Sequence, residues 1–258
     1  VGFIHGVMNT DNVAVSGQTI DYGPCAFLDT YDPAKVFSSI DASGRYAFGN
    51  QARVATWNLA RLAEALLPLI HAVQETAIAE AEAVLRGFAP QFEADHLQHM
   101  RAKLGLSTAL PEDGALIAGL LETMAAGQAD FTLTFRALSR PAGPDGAPPA
   151  DLAALFADPK LLAVWYARYQ DRLRRDPASP EARERAMQGV NPRVIPRNHR
   201  IEAVIRAALA GDLSPFHELV TVLSTPYADT PDAGKPGQDI YAAPPAAGEH
   251  VLQTFCGT

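Results

Sequence analysis

From Asn50 to Leu223 the chain is a succession of segments with apolar residues at helical spacing, broken by Pro, Gly and Asn; β-type runs appear only ahead of them. That pattern reads as a helical body with a small β element at its N-terminal side. In the first helical segment Val54, Trp57, Leu59, Leu62, Leu66 and Leu69 recur on one stripe, with Asn50 as the cap and Ile70 as the end. Further helices are expected over 74–86, ending at Gly87, and over 90–104, ending at Gly105. Others follow from Pro111 through Met124, over 129–138, 151–156, 161–174, 180–187 and 200–210, and from Pro215 to Leu223. The stripes around Trp57 and Trp165 read as core. The Pro/Gly-rich stretch 141–149 reads as a loop inside one domain, because the helices after it are too few to bury a core of their own.

The densest group of reactive side chains precedes this body. His5-Gly6-Val7-Met8-Asn9-Thr10-Asp11-Asn12 is a polar loop. Val13-Ala14-Val15, Ser16-Gly17-Gln18 and Thr19-Ile20 then read as strand, turn and strand of a hairpin that ends at Asp21. A hairpin returns its ends to one place, so Asp11, Asn12 and Asp21 are expected to converge. Such a set of hard oxygen donors suits Mg²⁺, which takes one or two carboxylates together with phosphate oxygens. His5 and Asn12 stand seven residues apart, and Asp21-Tyr22-Gly23 follows, as His, Asn and Asp-Phe-Gly do in the catalytic loop of protein kinases. The position two after His5, where a kinase holds its base, is Val7; Asp11 is the carboxylate on offer instead. From Tyr22 to Asn50 the pattern is irregular and rich in aromatic residues, which favours an ordered functional segment.

Other arrangements carry less. His96 and His99 share a helix face, but no third ligand completes a metal site, so they read as surface histidines. No Gly-x-Ser-x-Gly, Walker or Rossmann pattern occurs. A net charge of -8 argues against nucleic acid as a partner, and no apolar run reaches the length of a membrane span. The two cysteines, Cys25 and Cys256, form neither a disulfide scaffold nor a zinc pattern and suit a cytoplasmic protein. Arg far outnumbers Lys, and Ala and Pro are abundant, as in proteins of GC-rich bacterial genomes. The chain starts at Val1 inside an apolar run and reads as a piece of a longer protein.

The stretch His5 to Asn12, with Thr19-Ile20-Asp21-Tyr22-Gly23-Pro24, resembles the selenoprotein O family of kinase-fold proteins. Phe27-Leu28-Asp29, Gly44-Arg45-Tyr46-Ala47-Phe48, Asn50-Gln51, Trp57-Asn58-Leu59, Asn191-Pro192 and Arg197-Asn198 extend the resemblance, which is weaker over about residues 75–180. It implies a mainly α fold: the C-lobe of a protein kinase-like fold with a small β-hairpin at the metal site. Residues 1–50 would hold the catalytic loop, metal hairpin and activation-like segment, 51–223 the helical body and 224–258 an extended tail, all in one domain without its N-lobe. The implied activity is protein adenylylation, with AMP passing from ATP to Ser, Thr or Tyr hydroxyls of protein substrates. Asp11 would be the general base, Asn12 and Asp21 the ligands of Mg²⁺ (or Mn²⁺), and Asp21 would also approach the nucleotide. ATP and the missing N-lobe are the further partners, and no nucleic acid or membrane is expected. The glycine-rich loop, lysine and arginines that hold ATP in the family are not in this chain, so it is expected to be inactive alone. Conventional phosphotransfer and a non-catalytic pseudokinase scaffold are the alternative readings. Cys256 matches the family's C-terminal cysteine or selenocysteine. The stretch around Val36-Phe37, where a partner is expected, has none, and a Cys25–Cys256 bridge is carried as a hypothesis of the resemblance.

Overall fold

The structure is a computed structural model that describes residues 1–19, 22–228 and 238–255. It is mainly helical. Strands β1 (Phe3–Ile4) and β2 (Ala26–Phe27) pair into a two-stranded sheet. The helices are α1 (Gln51–Ile70), α2 (Gln74–Lys103), α3 (Asp113–Ala126), α4 (Phe131–Leu138), α5 (Ala150–Ala153), α6 (Pro159–Leu173), α7 (Pro180–Val190), α8 (Asn198–Leu209), α9 (Ser214–Leu223) and α10 (Gln238–Ala242). Among the described residues no helix is long and apolar enough to cross a membrane. The chain divides into two compact units, one of residues 1–2, 27–32 and 99–251, the other of 3–26, 33–98 and 252–258.

In the first unit the helix starts are written locally. Asp130, Asp158 and Ser179 each accept a backbone N–H of the first turn of α4, α6 and α7, and proline opens α6 and α7. The core packs α3 against α6. Leu120, Met124 and Leu162 are fully buried there, and the Trp165 indole donates to the Leu116 carbonyl at 2.8 Å while its ring stacks on Tyr169 at 5.1 Å. Charged groups inside this core are paired. Asp113, 0% exposed, accepts from Arg101 and Arg172 at 2.7 Å each. Arg197, also buried, donates to Asp29 and, at 2.8 Å, to Asp130. The backbone brings those two carboxylates together, since Phe131 N–H donates to the Asp29 carbonyl and Tyr31 N–H to that of Ala129. Inside the stretch read as an extended tail, α10 is helical, held by Tyr241 donating to Glu218 and by Arg197 and Arg200 donating to the Ala242 and Ile240 carbonyls.

The second unit holds the polar loop, residues 33–50 of the irregular segment and α1. Four expectations fail here. No strand forms over residues 13–19; only the turn is present, closed by Gly17 N–H to the Ala14 carbonyl at 3.0 Å. Val13 and Val15 are exposed, and an isolated pair of strands without a third strand or an apolar face to pack on has little to hold it. The pairing goes instead to β1 and β2, at either end of the loop. Second, α2 is one helix of 30 residues that runs through Gly87 and Pro90. Gly costs a helix about 1 kcal/mol and Pro removes one donor, and the Ala, Glu, Leu and Arg on either side outweigh them. Third, Trp57 is not core: it is 41% exposed, with Arg45 over its ring at 4.6 Å and Arg61 at 5.5 Å. Asn50 also does not cap α1 through its side chain, which donates to the Gly44 carbonyl instead.

Candidate active site

The loop from His5 to Asn12 is held by side chains far along the chain. Gln51, the first residue of α1, accepts the His5 N–H at 3.1 Å and donates to the Phe3 carbonyl at 3.0 Å. Two turns on, Asn58 donates to the Met8 carbonyl at 2.9 Å, and the Tyr46 hydroxyl donates to the Asn9 carboxamide. Beneath the loop Val7 packs with Tyr46 and Val54 in a small apolar cluster, with Met8 against it. Tyr46 is itself set by Asp41, whose carboxylate accepts the N–H groups of Arg45 and Tyr46 at 2.9 and 2.8 Å. At Gly6 the backbone has φ +90°, and a Cβ would lie 2.6 Å from the Pro24 carbonyl oxygen, so only glycine fits this crossing of the loop's two ends.

The loop closes in a 3₁₀ turn, Thr10–Asn12. The Asn12 amide nitrogen donates to the Val7 carbonyl at 3.0 Å. A carbonyl can only accept, so this bond fixes the amide with its nitrogen inward and its oxygen as the atom it offers outward. Asp11, one residue before, is exposed. His5, Asp11 and Asn12 line one cleft of about 420 Å³ with Met8, Thr19 and the turn around Gly17. An exposed carboxylate and a carboxamide oxygen on successive residues lining one cleft suit a hard divalent cation or the charge of a phosphate-bound one. Asp21 lies outside the described residues, as does Cys256. Among the described residues no group of three His, Cys, Asp or Glu side chains converges on one point. His96 and His99 are both exposed on α2.

Sequence reasoning placed Asp11 and Asn12 on one loop but gave no role to Gln51, Tyr46 and Asn58. A signal was present: Gln51 and Asn58 fall on the same face of α1 as buried Val54, and a carboxamide in an apolar stripe calls for a polar partner.

A family model described as "Protein adenylyltransferase SelO" matches residues 1–224. The chain belongs to the SelO family. Proteins named "Protein nucleotidyltransferase YdiU" are similar to it throughout: that of Bradyrhizobium sp. (strain ORS 278) is 56% identical over 262 residues, covering 100% of this chain and 51% of that protein. Those of a Methylorubrum extorquens strain and of Rhodopseudomonas palustris (strain BisB18) are 54% and 56% identical, over 100% of this chain and 52% and 51% of theirs. The chain thus spans about half the length of the curated relatives it matches.

Proposed function

We propose that this chain is the C-lobe portion of a kinase-like protein adenylyltransferase, which moves AMP from ATP to a Ser, Thr or Tyr hydroxyl of a protein. The observation that carries the reading is the pair at the loop's end: Asn12 anchored through its nitrogen with its oxygen outward, and Asp11 exposed beside it. Asp11 accepts the proton of the attacking hydroxyl; the hydroxyl oxygen bonds the α-phosphorus as the bond to the bridging oxygen breaks, and pyrophosphate leaves. Asn12 and Asp21 would hold Mg²⁺, which would supply charge neutralisation at the α-phosphate. Val7 speaks against ordinary phosphotransfer, because the position of a kinase's base is here an apolar side chain buried against Tyr46 and Val54. Family membership and relatives named as protein nucleotidyltransferases support the transferase class.

The test uses the full-length protein with Mg-ATP and mass spectrometry of a modified protein acceptor. The added group is expected to be AMP; an added phosphate overturns the reading. Asp11→Ala is expected to slow transfer by about 10²–10⁴-fold, and transfer at an undiminished rate would remove Asp11 from its role. The 258-residue chain by itself is expected to transfer no AMP.

A further inference from the structure

Next to the Asp11 cleft lies a second, larger groove of about 600 Å³, between α1 and the loop after Asn12. Thr10, Val13, Val15, Trp57 and Leu62 give it a largely apolar wall, and among the described residues Arg61 is the one charged side chain that lines it. The two clefts share Val13, Ala14 and Gly17, and Thr10 and Asp11 are successive residues on either side of that wall. A chain lying in the groove therefore abuts the cleft that Asp11 lines.

The groove's rim is unusual for a protein of net charge -8. Trp57 is 41% exposed and has two guanidinium groups over its ring, Arg45 at 4.6 Å and Arg61 at 5.5 Å from the ring centre. Stacking on an indole leaves the N–H edges of a guanidinium open to a carboxylate. The acids nearby do not occupy both cations. Asp41 is committed to the backbone N–H groups of Arg45 and Tyr46. Arg61 pairs with Glu64 at 2.5 Å, but both side chains are exposed, and an exposed pair three residues apart on a helix is readily exchanged for another carboxylate. Val13, Val15 and Leu62 add exposed apolar surface beside this cationic edge.

We propose that this groove holds the segment of the polypeptide substrate that flanks the accepting hydroxyl, selecting an apolar side chain against Trp57 and Leu62 and an acidic one against Arg45 and Arg61. This deepens the transferase reading and rests on it for the identity of the occupant. Charge complementarity argues for an acidic partner, and the apolar wall argues against a purely electrostatic one.

The test uses the full-length protein without nucleotide and two short fluorescent peptides. One carries Ser flanked by Leu and Phe on one side and Glu residues on the other; the second has Lys in place of each Glu. By fluorescence anisotropy the acidic peptide is expected to bind about tenfold more tightly at low salt, with the preference shrinking as salt rises. The double variant Arg45→Gln/Arg61→Gln is expected to erase the preference, and Trp57→Ala to weaken both peptides. Equal affinities in the unaltered protein, or an undiminished preference in the double variant, overturn the proposal. Asp11→Ala separates the two readings. Loss of AMP transfer with the peptide preference intact supports both; transfer that survives overturns the role of Asp11, while the peptide preference still decides the groove.

Discussion

Arg197→Met is expected to be the most damaging conservative substitution in the first unit. The guanidinium is 0% exposed; its Nη1 donates to Asp29 and to Asp130 at 2.8 Å, and its Nε to the Ala242 carbonyl at 3.1 Å. Met fills much of the same volume, so the loss is electrostatic rather than a cavity. Removing one partner of a buried pair leaves the other charge uncompensated and costs about 3–5 kcal/mol. Asp130, 8% exposed, bears that cost, while Asp29 at 24% recovers part of its hydration. A stranded carbonyl adds about 1 kcal/mol. A total near 4 kcal/mol corresponds to a fall of about 8–16 °C in unfolding midpoint for a chain of this size. The effect has a pH signature. Burial holds the Asp130 carboxyl above its usual range despite the pull of Arg197. A carboxyl whose folded pKa is raised binds its proton more tightly folded than unfolded. Its folded state therefore gains as pH falls through the raised value, and gains more once Arg197 is gone. The deficit of the variant should shrink between pH 7 and pH 4. Urea unfolding read by Trp165, which is 3% exposed, in a Trp57→Phe background measures it. A loss below about 1 kcal/mol at pH 7, or one that acid does not reduce, refutes the argument.

Gly6→Ala forces φ +90° on an L-residue and drives its Cβ to 2.6 Å from the Pro24 oxygen; a loss of about 2–3 kcal/mol is expected in thermal unfolding. Gly87→Ala, inside α2 and with open space around it, should stabilise by about 0.5–1 kcal/mol in denaturant melts. Lys103 is buried with its ammonium 2.8 Å from Asn191 and 4.2 Å from the Phe135 ring centre, and burial lowers its pKa to about 8. Because the unfolded chain then holds more protons between pH 8 and about 10.4, stability gains from this group as pH rises through that window. Lys103→Met should remove that gain, about 3 kcal/mol across the window, from the difference between the two proteins' pH profiles.

The helical body was legible because its signals are local. Stripes such as Leu162-Trp165-Tyr166-Tyr169, and openings such as Pro180, need only a few residues to be read. The errors arise where local and distant terms compete. Gly87 and Pro90 look like stops, yet they only subtract from a helix that strong formers sustain on both sides. Trp57 lies on an apolar stripe, but periodicity says which face a residue occupies and not whether anything covers that face. Val13-Ala14-Val15 has strand propensity, but Val13 and Val15 are exposed, and among the described residues the turn is present while no strand forms over 13–19.

The loop itself shows why spacing alone could name Asp11 and Asn12 without saying how they are held. Three of the bonds that fix it join residues 46 to 50 positions apart: Gln51 to His5 and Phe3, and Asn58 to Met8. All three are made with backbone groups, so what they specify is the path of the chain and not the chemistry of the side chains upon it. Asp11 is therefore free to change without unfolding the loop, whereas Gln51 is not. Gln51→Leu would leave the His5 N–H and the Phe3 carbonyl without their partner at the loop's entrance, and an unmet buried polar group costs about 1–3 kcal/mol. An alteration at Asp11 that abolishes transfer with the unfolding curve unchanged, beside one at Gln51 that lowers both together, is the pattern this division of labour requires.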